Sequence, residues 1–246
     1  MSSPSIFIKR FSVLCDMKYK HITLIGTSHI AQESINQVTY LIQTQKPDIV
    51  AVELDRKRLH ALLSKQRPGI NFALLFRVGV KGFLFALIGQ FVQRKLGSKV
   101  GVVPGADMLA AVRTARAVGC EIYLLDQDIE ITLSRFSQAL TWKEKGRFCM
   151  DVLRGVLSGG KDPALADLGS FDLRKVPSQT LIKKLIGRVK ERYPNVYRVL
   201  IEERNDLMAR RLAKLAIKNP DKTILAVVGA GHEEEMLVLV KKYWCD

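Results

Sequence analysis

Two apolar segments, far apart in the chain, end in the same four-residue pattern, Gly-x-x-His. They are residues 22–25, followed by Gly26 and His29, and residues 223–228, followed by Gly229 and His232. Short apolar runs of this kind predict buried strands, and glycine permits a sharp turn from a strand into a helix. The glycines would also let a metal or a substrate approach the backbone. We therefore expect a fold that brings the two histidines together.

Two further apolar runs predict strands, at residues 49–55 (IVAVELD) and 121–126 (EIYLLD). A continuous run rich in β-branched residues is typical of a parallel strand that is covered on both faces. Helical patterns at residues 30–45, 106–118 and 233–244 alternate with these strands. This alternation predicts an α/β fold with a mostly parallel β-sheet core flanked by helices.

The long stretch between residues 127 and 219 contains no convincing strand and predicts several helices. We expect one domain over residues 1–246, with an α/β core at about 20–126 and 220–246 and a helical insertion at about 127–219. A chain of 246 residues is long enough for such a core and its insertion.

The composition limits the cellular setting and the partners. The net charge of +15 fits a solvated basic surface, an acidic protein partner, nucleic acid or an anionic membrane. Aromatic residues make up only 7% of the chain without an RNA-binding pattern, which argues against nucleic acid. Four cysteines without a C-x-x-C pair indicate reduced thiols. The N-terminal segment lacks the uninterrupted apolar region of a secretory signal, so we expect a cytoplasmic protein.

One strongly apolar segment, residues 70–92, raises the question of membrane contact. Arg77 and Lys81 interrupt it, and a membrane-spanning helix would carry these charges near its centre at a high cost. We expect an amphipathic helical pair that covers the core, forms a homodimer contact through residues 70–95, or makes a peripheral membrane contact.

Polar residues end the four predicted strands: His29, Glu53, Asp126 and His232. In an open α/β sheet, ligands bind in the crevice at the carboxyl ends of the strands. Two histidines and a carboxylate form a competent set for a divalent metal and leave positions for water and substrate. The alternative is that these groups only hydrogen-bond to one another. Ser28, beside His29, is a weaker candidate for a nucleophile, and we expect His21 and His60 at the surface.

Residues 199–219 predict a helix with arginines on its apolar face. On a helical wheel, Arg204 and Arg211 lie in the middle of that face, which comprises Leu200, Ile201, Leu207, Met208, Leu212 and Leu215. A charge on a core face needs a partner or an anionic ligand. For Arg204 we expect a carboxylate at the strand ends or a developing oxyanion, whereas Arg211 is expected to extend past the core edge into solvent.

An ordered set of motifs gives the chain a family resemblance. The motifs are GTSH (26–29), KPDIVAVELDRKRL (46–59), PGADM (104–108), LLDQDIEITLSR (124–135), EERNDLMARRL (202–212) and VVGAGHEE (227–234). Together they resemble the TraB/PrgY family of pheromone-shutdown proteins, which is related to the TIKI proteases, the erythromycin esterases and the ChaN-like haem-binding proteins. The resemblance implies an α/β fold with an inserted helical region.

The same resemblance implies a site and a reaction. It places His29, Glu53, Arg204 and His232 at the pocket, with Asp126 and Asn205 as supporting groups. Further supporting or substrate-binding residues would be Gly26, Ser28 and Gly229. TIKI proteins are metal-dependent peptidases, PrgY-type members are linked to limiting a secreted peptide pheromone, and ChaN-like relatives bind haem.

The resulting hypothesis is a metal-dependent hydrolase that acts on peptides. His29, His232 and Glu53 would bind Mn, Co or Zn, Glu53 could instead be the general base, and Arg204 would hold a substrate carboxylate or the oxyanion. The alternative is a non-catalytic regulatory protein that binds a peptide or small ligand in the same pocket.

The chain departs from the family pattern in three respects. Gln127 stands where the family leads us to expect arginine, and Asp107 where we expect glutamate. Many members also continue into a C-terminal membrane domain, whereas this chain ends soon after His232, so we expect the soluble module alone.

Overall fold

The computed structural model describes residues 17–27, 32–64, 105–144, 146–147, 150–151 and 179–245. Ser28, His29 and the apolar segment 70–95 lie outside these ranges, as do residues 152–178 of the expected insertion. Among the described helices, none has both the length and the apolar character needed to cross a membrane.

Strands and helices alternate through the described ranges, and the predicted α/β class is confirmed. In chain order they are β1 (Met17–Tyr19), β2 (Ile22–Thr27), α1 (Gln32–Gln45), β3 (Ile49–Val52), α2 (Arg56–Leu63), α3 (Ala106–Val118), β4 (Glu121–Leu124), α4 (Ile129–Ala139), α5 (Gln179–Arg192), α6 (Pro194–Tyr197), a π-helical turn (Arg198–Glu202), α7 (Glu203–Lys218), β5 (Ile224–Gly229) and α8 (Glu233–Cys245).

The described strands form one sheet in the order β1-β2-β5-β3-β4. Strands β2, β5, β3 and β4 are parallel, and only β1 pairs in the antiparallel direction. The last strand in sequence therefore lies at the centre, where Thr27 of β2 pairs with Gly229 of β5 and Val52 of β3 pairs with Val227. Because these strands run in one direction, the residues that follow them meet at one edge of the sheet.

The edge strand β1 was not predicted. It has only three residues, one of them the exposed Lys18, and so carries no readable periodicity. Its pairing with β2 is fixed by the register between Met17 and Leu24, which no local pattern encodes.

Helices cover both faces of the sheet. On one face, α1 and α3 pack together and bury Val38, Ile42, Met108 and Val112 against β3 and β5. On the other, α7 and α8 pack together and bury Met208, Leu212, Met236 and Val240 against β2 and β5. All six residues of β5 are buried, as expected for a parallel strand with two covered faces.

Strand β3 ends at Val52, three residues before the end of the predicted run. The cause is Asp55, whose carboxylate accepts hydrogen bonds from the backbone N–H groups of Lys57 (2.8 Å) and Arg58 (3.0 Å) and so begins α2. The early end matters for the site, because it leaves Glu53 in the turn between the strand and the helix.

The buried face of α7 matches the predicted one in part. Its buried residues are Asn205, Met208, Ala209, Leu212, Ala213 and Ala216. The predicted Met208 and Leu212 are therefore buried, together with three alanines, whereas Leu207 and Leu215 are only half-buried. The helical wheel missed the alanines because it gave the large apolar residues priority. The π-helical turn before α7 inserts an extra residue per turn and rotates the residues that precede it relative to α7.

Candidate functional site

Four charged or polar side chains converge at the carboxyl edge of the sheet. Glu53 and Asp126 follow β3 and β4, His232 follows β5, and Arg204 reaches them from the first turn of α7. The side chains of both carboxylates are 3% exposed, that of His232 is 8% exposed and that of Arg204 is 14% exposed. We call these four residues the strand-end cluster.

Arg204 is the centre of the strand-end cluster. Its Nη2 donates to Glu53 Oε1 at 2.5 Å and to Asp126 Oδ2 at 2.7 Å, and its Nε donates to Asp126 Oδ1 at 3.3 Å. Its Nη1 donates to the carbonyl of Leu200 in the π-helical turn, at 3.3 Å. Burial lowers the pKa of Arg204, but the carboxylates of Glu53 and Asp126 outweigh burial and raise it. The carboxylate partner expected for Arg204 is thus present twice.

Glu53 connects β3 to β5 as well as to Arg204. Its backbone N–H donates to Val227 O at 3.0 Å, which continues the strand ladder by one residue. Its Oε2 accepts a 2.6 Å hydrogen bond from the backbone N–H of Gly229. Each carboxylate oxygen therefore has a fixed donor, and the orientation of the side chain is determined by the turn after β5 as well as by α7.

His232 lies against both of these residues. Its Nε2 is 3.5 Å from Glu53 Oε1 and 3.4 Å from Arg204 Nη1. Its Nδ1 is 2.5 Å from Oδ1 of Asn205, a fully buried residue of α7. The resemblance alone suggested Asn205, and the structure places it directly behind the imidazole.

The carboxyl end of β2 packs against the turn after β5. A Cβ atom at Gly26 would lie 2.9 Å from the Cα of Ala230 and 2.5 Å from Oε2 of Glu233. Glycine is needed here because the strand and the turn approach each other so closely. Protein atoms therefore fill the space beside this glycine that we expected a metal or a substrate to use.

The two residues that depart from the family pattern both form hydrogen bonds within the structure. Asp107, at the start of α3, is fully buried, and its Oδ2 accepts a 2.7 Å hydrogen bond from Thr27 Oγ1. The backbone N–H of Gln127 donates to Asp126 Oδ1 at 2.8 Å, while its side chain donates to Thr132. Gln127 thus helps to hold Asp126 in place without adding a charge.

Arg211 binds protein, and our expectation that it reaches solvent was wrong. Its Nη1 donates to the carbonyls of Leu125 (3.0 Å) and Asp126 (2.7 Å), which follow β4. Buried carbonyls beyond the end of a strand need a donor, and here a cation supplies it. Arg211 is a supporting residue that the helical wheel could not assign.

Sequence reasoning missed two further residues behind the cluster. Nδ2 of Asn205 donates to Oε2 of Glu235 at 2.6 Å, and the hydroxyl of Tyr197 donates to Oε1 of the same carboxylate at 2.8 Å. Glu235 is one of three consecutive glutamates at the start of α8, and nothing in the sequence distinguishes it from its neighbours.

A surface cleft of about 550 Å³ lies on the far side of Asn205, between α7 and α8. We call it the acidic cleft. Its lining residues are Glu202, Asn205, Asp206, Glu234, Glu235, Val238 and Leu239. It is separate from the strand-end cluster, and Asn205 lies between the two.

Helix α5 lies over the turn that precedes His232. A Cβ atom at Gly231 would lie 3.3 Å from Cδ1 of Ile186, and Lys183 forms a 2.9 Å ion pair with Glu234. The expected helical insertion thus contributes a cover to the turn that carries His232.

The strand-end cluster fits part of the metal set that the sequence suggests. Two donors that share one ion at bond lengths of about 2.0–2.2 Å can be at most about 4.4 Å apart. His232 Nε2 and Glu53 Oε1, 3.5 Å apart, meet this limit. Arg58 Nη1 also lies 3.5 Å from Asp126 Oδ2, so two guanidiniums balance the two carboxylates of this ion-paired group. The third predicted ligand, His29, lies outside the described ranges, within which no set of three or more such side chains is arranged to hold a metal.

Comparison with known proteins places the chain in a family. A curated protein of Methanocaldococcus jannaschii, named only as uncharacterized, is 35% identical over 239 residues, which cover 96% of this chain and 57% of the relative. TraB domain-containing proteins of Bos taurus and Homo sapiens are 25% and 24% identical over 235 residues, which cover 86% of this chain and 60% of each relative. The chain thus spans less than two thirds of the length of these relatives.

The family match includes the described members of the site. The sequence model of the TraB/PrgY/gumN family matches residues 15–234, a range that contains Glu53, Asp126, Arg204 and His232. The resemblance read from the motifs is thereby confirmed, and this chain belongs to the TraB/PrgY/gumN family.

Proposed function

We propose that this chain is a metal-dependent hydrolase that cleaves peptide bonds at the carboxyl edge of its sheet. The observation that carries the proposal is the 3.5 Å approach of His232 Nε2 to Glu53 Oε1, both buried beside a guanidinium. An imidazole nitrogen and a carboxylate oxygen at this separation suit one divalent ion.

In this proposal, His232, Glu53 and His29 hold Mn, Co or Zn. When bound, the ion would supply a polarised substrate carbonyl and a water that is nucleophilic near neutral pH. Glu53 Oε1 is the atom that faces His232, while Oε2 is held by the Gly229 N–H and so fixes the direction of the carboxylate. Arg204 compensates the buried charge of Glu53 and Asp126 and keeps Glu53 aligned with the imidazole.

Helix α5 and Asn205 enclose His232 and the turn before it from two sides. Ile186 over Gly231 covers the turn before His232 on one side, and Asn205 closes the other. Exclusion of water from a polar site strengthens the electrostatic interactions within it. We infer that the substrate enters at the carboxyl edge of the sheet, beside the turn after β5.

The first test is metal binding. Purified protein is loaded separately with Mn²⁺, Co²⁺ and Zn²⁺, desalted and subjected to elemental analysis. We expect stoichiometric binding of one of these metals, lost in His29→Ala and His232→Ala and weakened in Glu53→Gln. His60→Ala is the matched control, because His60 is an exposed histidine of α2 and its removal should leave binding unchanged.

The second test is turnover. Metal-loaded protein is incubated with a mixture of synthetic peptides, and the products are identified by mass spectrometry with and without a chelator. Cleavage that requires both the metal and His232 supports the proposal. Absence of stoichiometric binding with all three metals, or binding that survives His232→Ala, would overturn it.

A non-catalytic binding role is the second candidate, and the saturation of the cluster favours it. Arg204 donates to Glu53, Asp126 and the Leu200 carbonyl, so its donors are committed to the protein in the described arrangement. A site of this kind would bind a peptide through a fixed polar surface without cleaving it. It predicts peptide affinity that chelators do not change, together with intact peptides after incubation.

A further inference from the structure

A chain of hydrogen bonds runs from His232 to the acidic cleft. It passes from His232 Nδ1 to Asn205 Oδ1 at 2.5 Å, and from Asn205 Nδ2 to Glu235 Oε2 at 2.6 Å. Glu235 also accepts from the hydroxyl of Tyr197 at 2.8 Å. Asn205 is fully buried, whereas Glu235 is an exposed residue of the acidic cleft, so this hydrogen bond lies at the wall of the cleft.

The carboxylate of Glu235 determines which way the Asn205 amide points. A carboxylate oxygen only accepts, so the group 2.6 Å from it must be the NH₂ of Asn205. In the flipped amide, two oxygens would face each other at this distance. With Nδ2 directed to Glu235, Oδ1 faces His232 and needs a donor, which is Nδ1–H of the imidazole.

The opposite side of the imidazole faces one donor and one acceptor. Arg204 Nη1 lies 3.4 Å from His232 Nε2, and a guanidinium has donors but no acceptor. Glu53 Oε1 lies 3.5 Å from the same nitrogen and only accepts, so these two longer contacts oppose each other. The 2.5 Å contact between Nδ1 and Asn205 Oδ1 therefore selects the Nδ1–H tautomer, in which the lone pair of Nε2 accepts from Arg204.

We propose that Glu235 is a positioning residue that fixes the Asn205 amide and, through it, the Nδ1–H tautomer of His232. The inference rests on the proposed role of His232, because a metal binds the nitrogen that lacks a proton and an outer hydrogen bond sets which nitrogen that is. It gives Glu235, the third of three consecutive glutamates at the start of α8, a role beyond stabilisation of the helix dipole.

Tyr197 holds the second oxygen of the Glu235 carboxylate. It is 3% exposed and ends α6, directly before the π-helical turn that leads to Arg204. Burial raises the pKa of Tyr197, and the Glu235 carboxylate raises it further, so the phenol remains a donor at neutral pH. Its hydrogen bond holds Oε1 of Glu235 and leaves Oε2 for the Asn205 amide.

The test reads the tautomer directly, in metal-free protein. Long-range ¹H–¹⁵N correlation spectra of ¹⁵N-histidine-labelled protein distinguish Nδ1–H from Nε2–H, and His232→Asn identifies the signals of this ring. We expect the wild-type ring in the Nδ1–H form. In Glu235→Gln the new amide can pair with either orientation of Asn205, so the ratio of the Nδ1–H to the Nε2–H form should fall about tenfold or more.

Two further variants separate positioning from general stability. Glu234→Gln removes the same charge from the same helix turn, but Glu234 pairs with Lys183, so the tautomer should not change. The double variant Asn205→Asp with Glu235→Gln exchanges the amide and the carboxylate. Its new carboxylate accepts only, so it should restore the Nδ1–H form even if Glu235→Gln alone folds poorly.

The outcomes for this inference and for the proposed function are distinct. An Nε2–H ring in the wild type, a Glu235→Gln ring that keeps its tautomer, or a double variant that fails to restore Nδ1–H would each overturn the positioning role. Protein with the expected tautomers that binds none of the three metals would instead overturn the proposed function and leave the positioning role intact.

Discussion

Two arginine–aspartate pairs in this molecule have the same chemistry in different surroundings. Arg204 pairs with Asp126 through Nε and Nη2, at 3.3 and 2.7 Å, and Arg192 pairs with Asp151 through the same two nitrogens, with Nε at 2.7 Å. The exposed fractions of the arginine and aspartate side chains are 14% and 3% in the first pair but 50% and 29% in the second. The first joins α7 to the sheet, and the second joins residues of the helical region.

The difference shows that a buried ion pair needs protein groups to compensate its charges, whereas an exposed pair can use water. Arg204 has a second carboxylate, Glu53, and a backbone carbonyl, so its charge is compensated without water. Arg192 is half exposed, and its hydrogen bond to Asp151 raises its pKa while water remains available to replace that partner. Removing one partner of a buried pair leaves an uncompensated charge, whereas an exposed pair contributes little.

The largest loss of stability is expected when the buried pair is broken. Arg204→Met leaves Glu53 and Asp126 buried without their shared cation, so the free energy of unfolding should fall by about 3–5 kcal/mol. Urea denaturation followed by circular dichroism measures this loss.

A compensated variant tests the cause of that loss. Arg204→Met combined with Glu53→Gln and Asp126→Asn removes these three buried charges and should recover at least about half of it, because the remaining partner of Asp126, Arg58, is partly exposed to water. A loss of less than about 1 kcal/mol in the single variant would place the cluster in the same class as a surface pair.

A smaller effect is expected at a buried carboxylate whose described partners are neutral. Glu144 is 3% exposed and accepts from the backbone N–H (2.9 Å) and side chain (2.9 Å) of Asn195 and from Thr141. Burial raises the pKa of Glu144, but these hydrogen bonds outweigh burial and lower it below the ordinary 4.5. A depressed folded-state pKa stabilises the fold above pH 4.5, and this contribution disappears as the pH falls through the folded pKa.

Glu144→Gln should therefore cost about 1–2 kcal/mol at pH 7 and progressively less below pH 4.5. Denaturation curves of both proteins across this range measure the difference. Glu191→Gln is the control, since Glu191 is an exposed carboxylate of α5 whose substitution should remain within about 0.5 kcal/mol throughout. A cost that grows as the pH falls would contradict a lowered pKa for Glu144.

The smallest effect is expected at the exposed pair. Arg192→Met should lower the free energy of unfolding by about 0–1 kcal/mol, and the loss should shrink further in high salt, which screens surface charges. Denaturation at low and high salt measures it beside Arg204→Met. Equal losses in the two variants would remove the distinction between the pairs.

Local patterns predicted most of the α/β core and part of the site. The four parallel strands lie where continuous apolar runs occur, and α3 ends at Val118, as predicted, before Gly119, whose φ of 89° suits glycine. Glu53, Asp126 and His232 are candidates because each follows an apolar run, and Arg204 because a charge on an apolar helical face needs a partner. The structure brings these four side chains together, and their roles in binding or catalysis stay predictions.

Contacts that join distant segments were beyond such patterns. Arg211 was assigned to solvent because a helical wheel cannot show the Leu125 and Asp126 carbonyls, and Glu235 was indistinguishable from its neighbouring glutamates. The buried alanines of α7 were missed because a helical wheel gives priority to large apolar residues. The metal, the substrate and the role of His29 stay predictions.

The residue pattern alone is enough to predict that this chain alternates strands and helices, ends its strands in polar residues and belongs to the TraB/PrgY/gumN family. It does not predict that β5 lies between β2 and β3, or that Gly229 reaches Glu53 across 176 positions and Arg204 reaches Glu53 across 151. Hydrophobic periodicity is set by nearby residues and is therefore visible along the chain. The order of strands and the compensation of buried charges instead depend on groups that meet only when the whole core is packed.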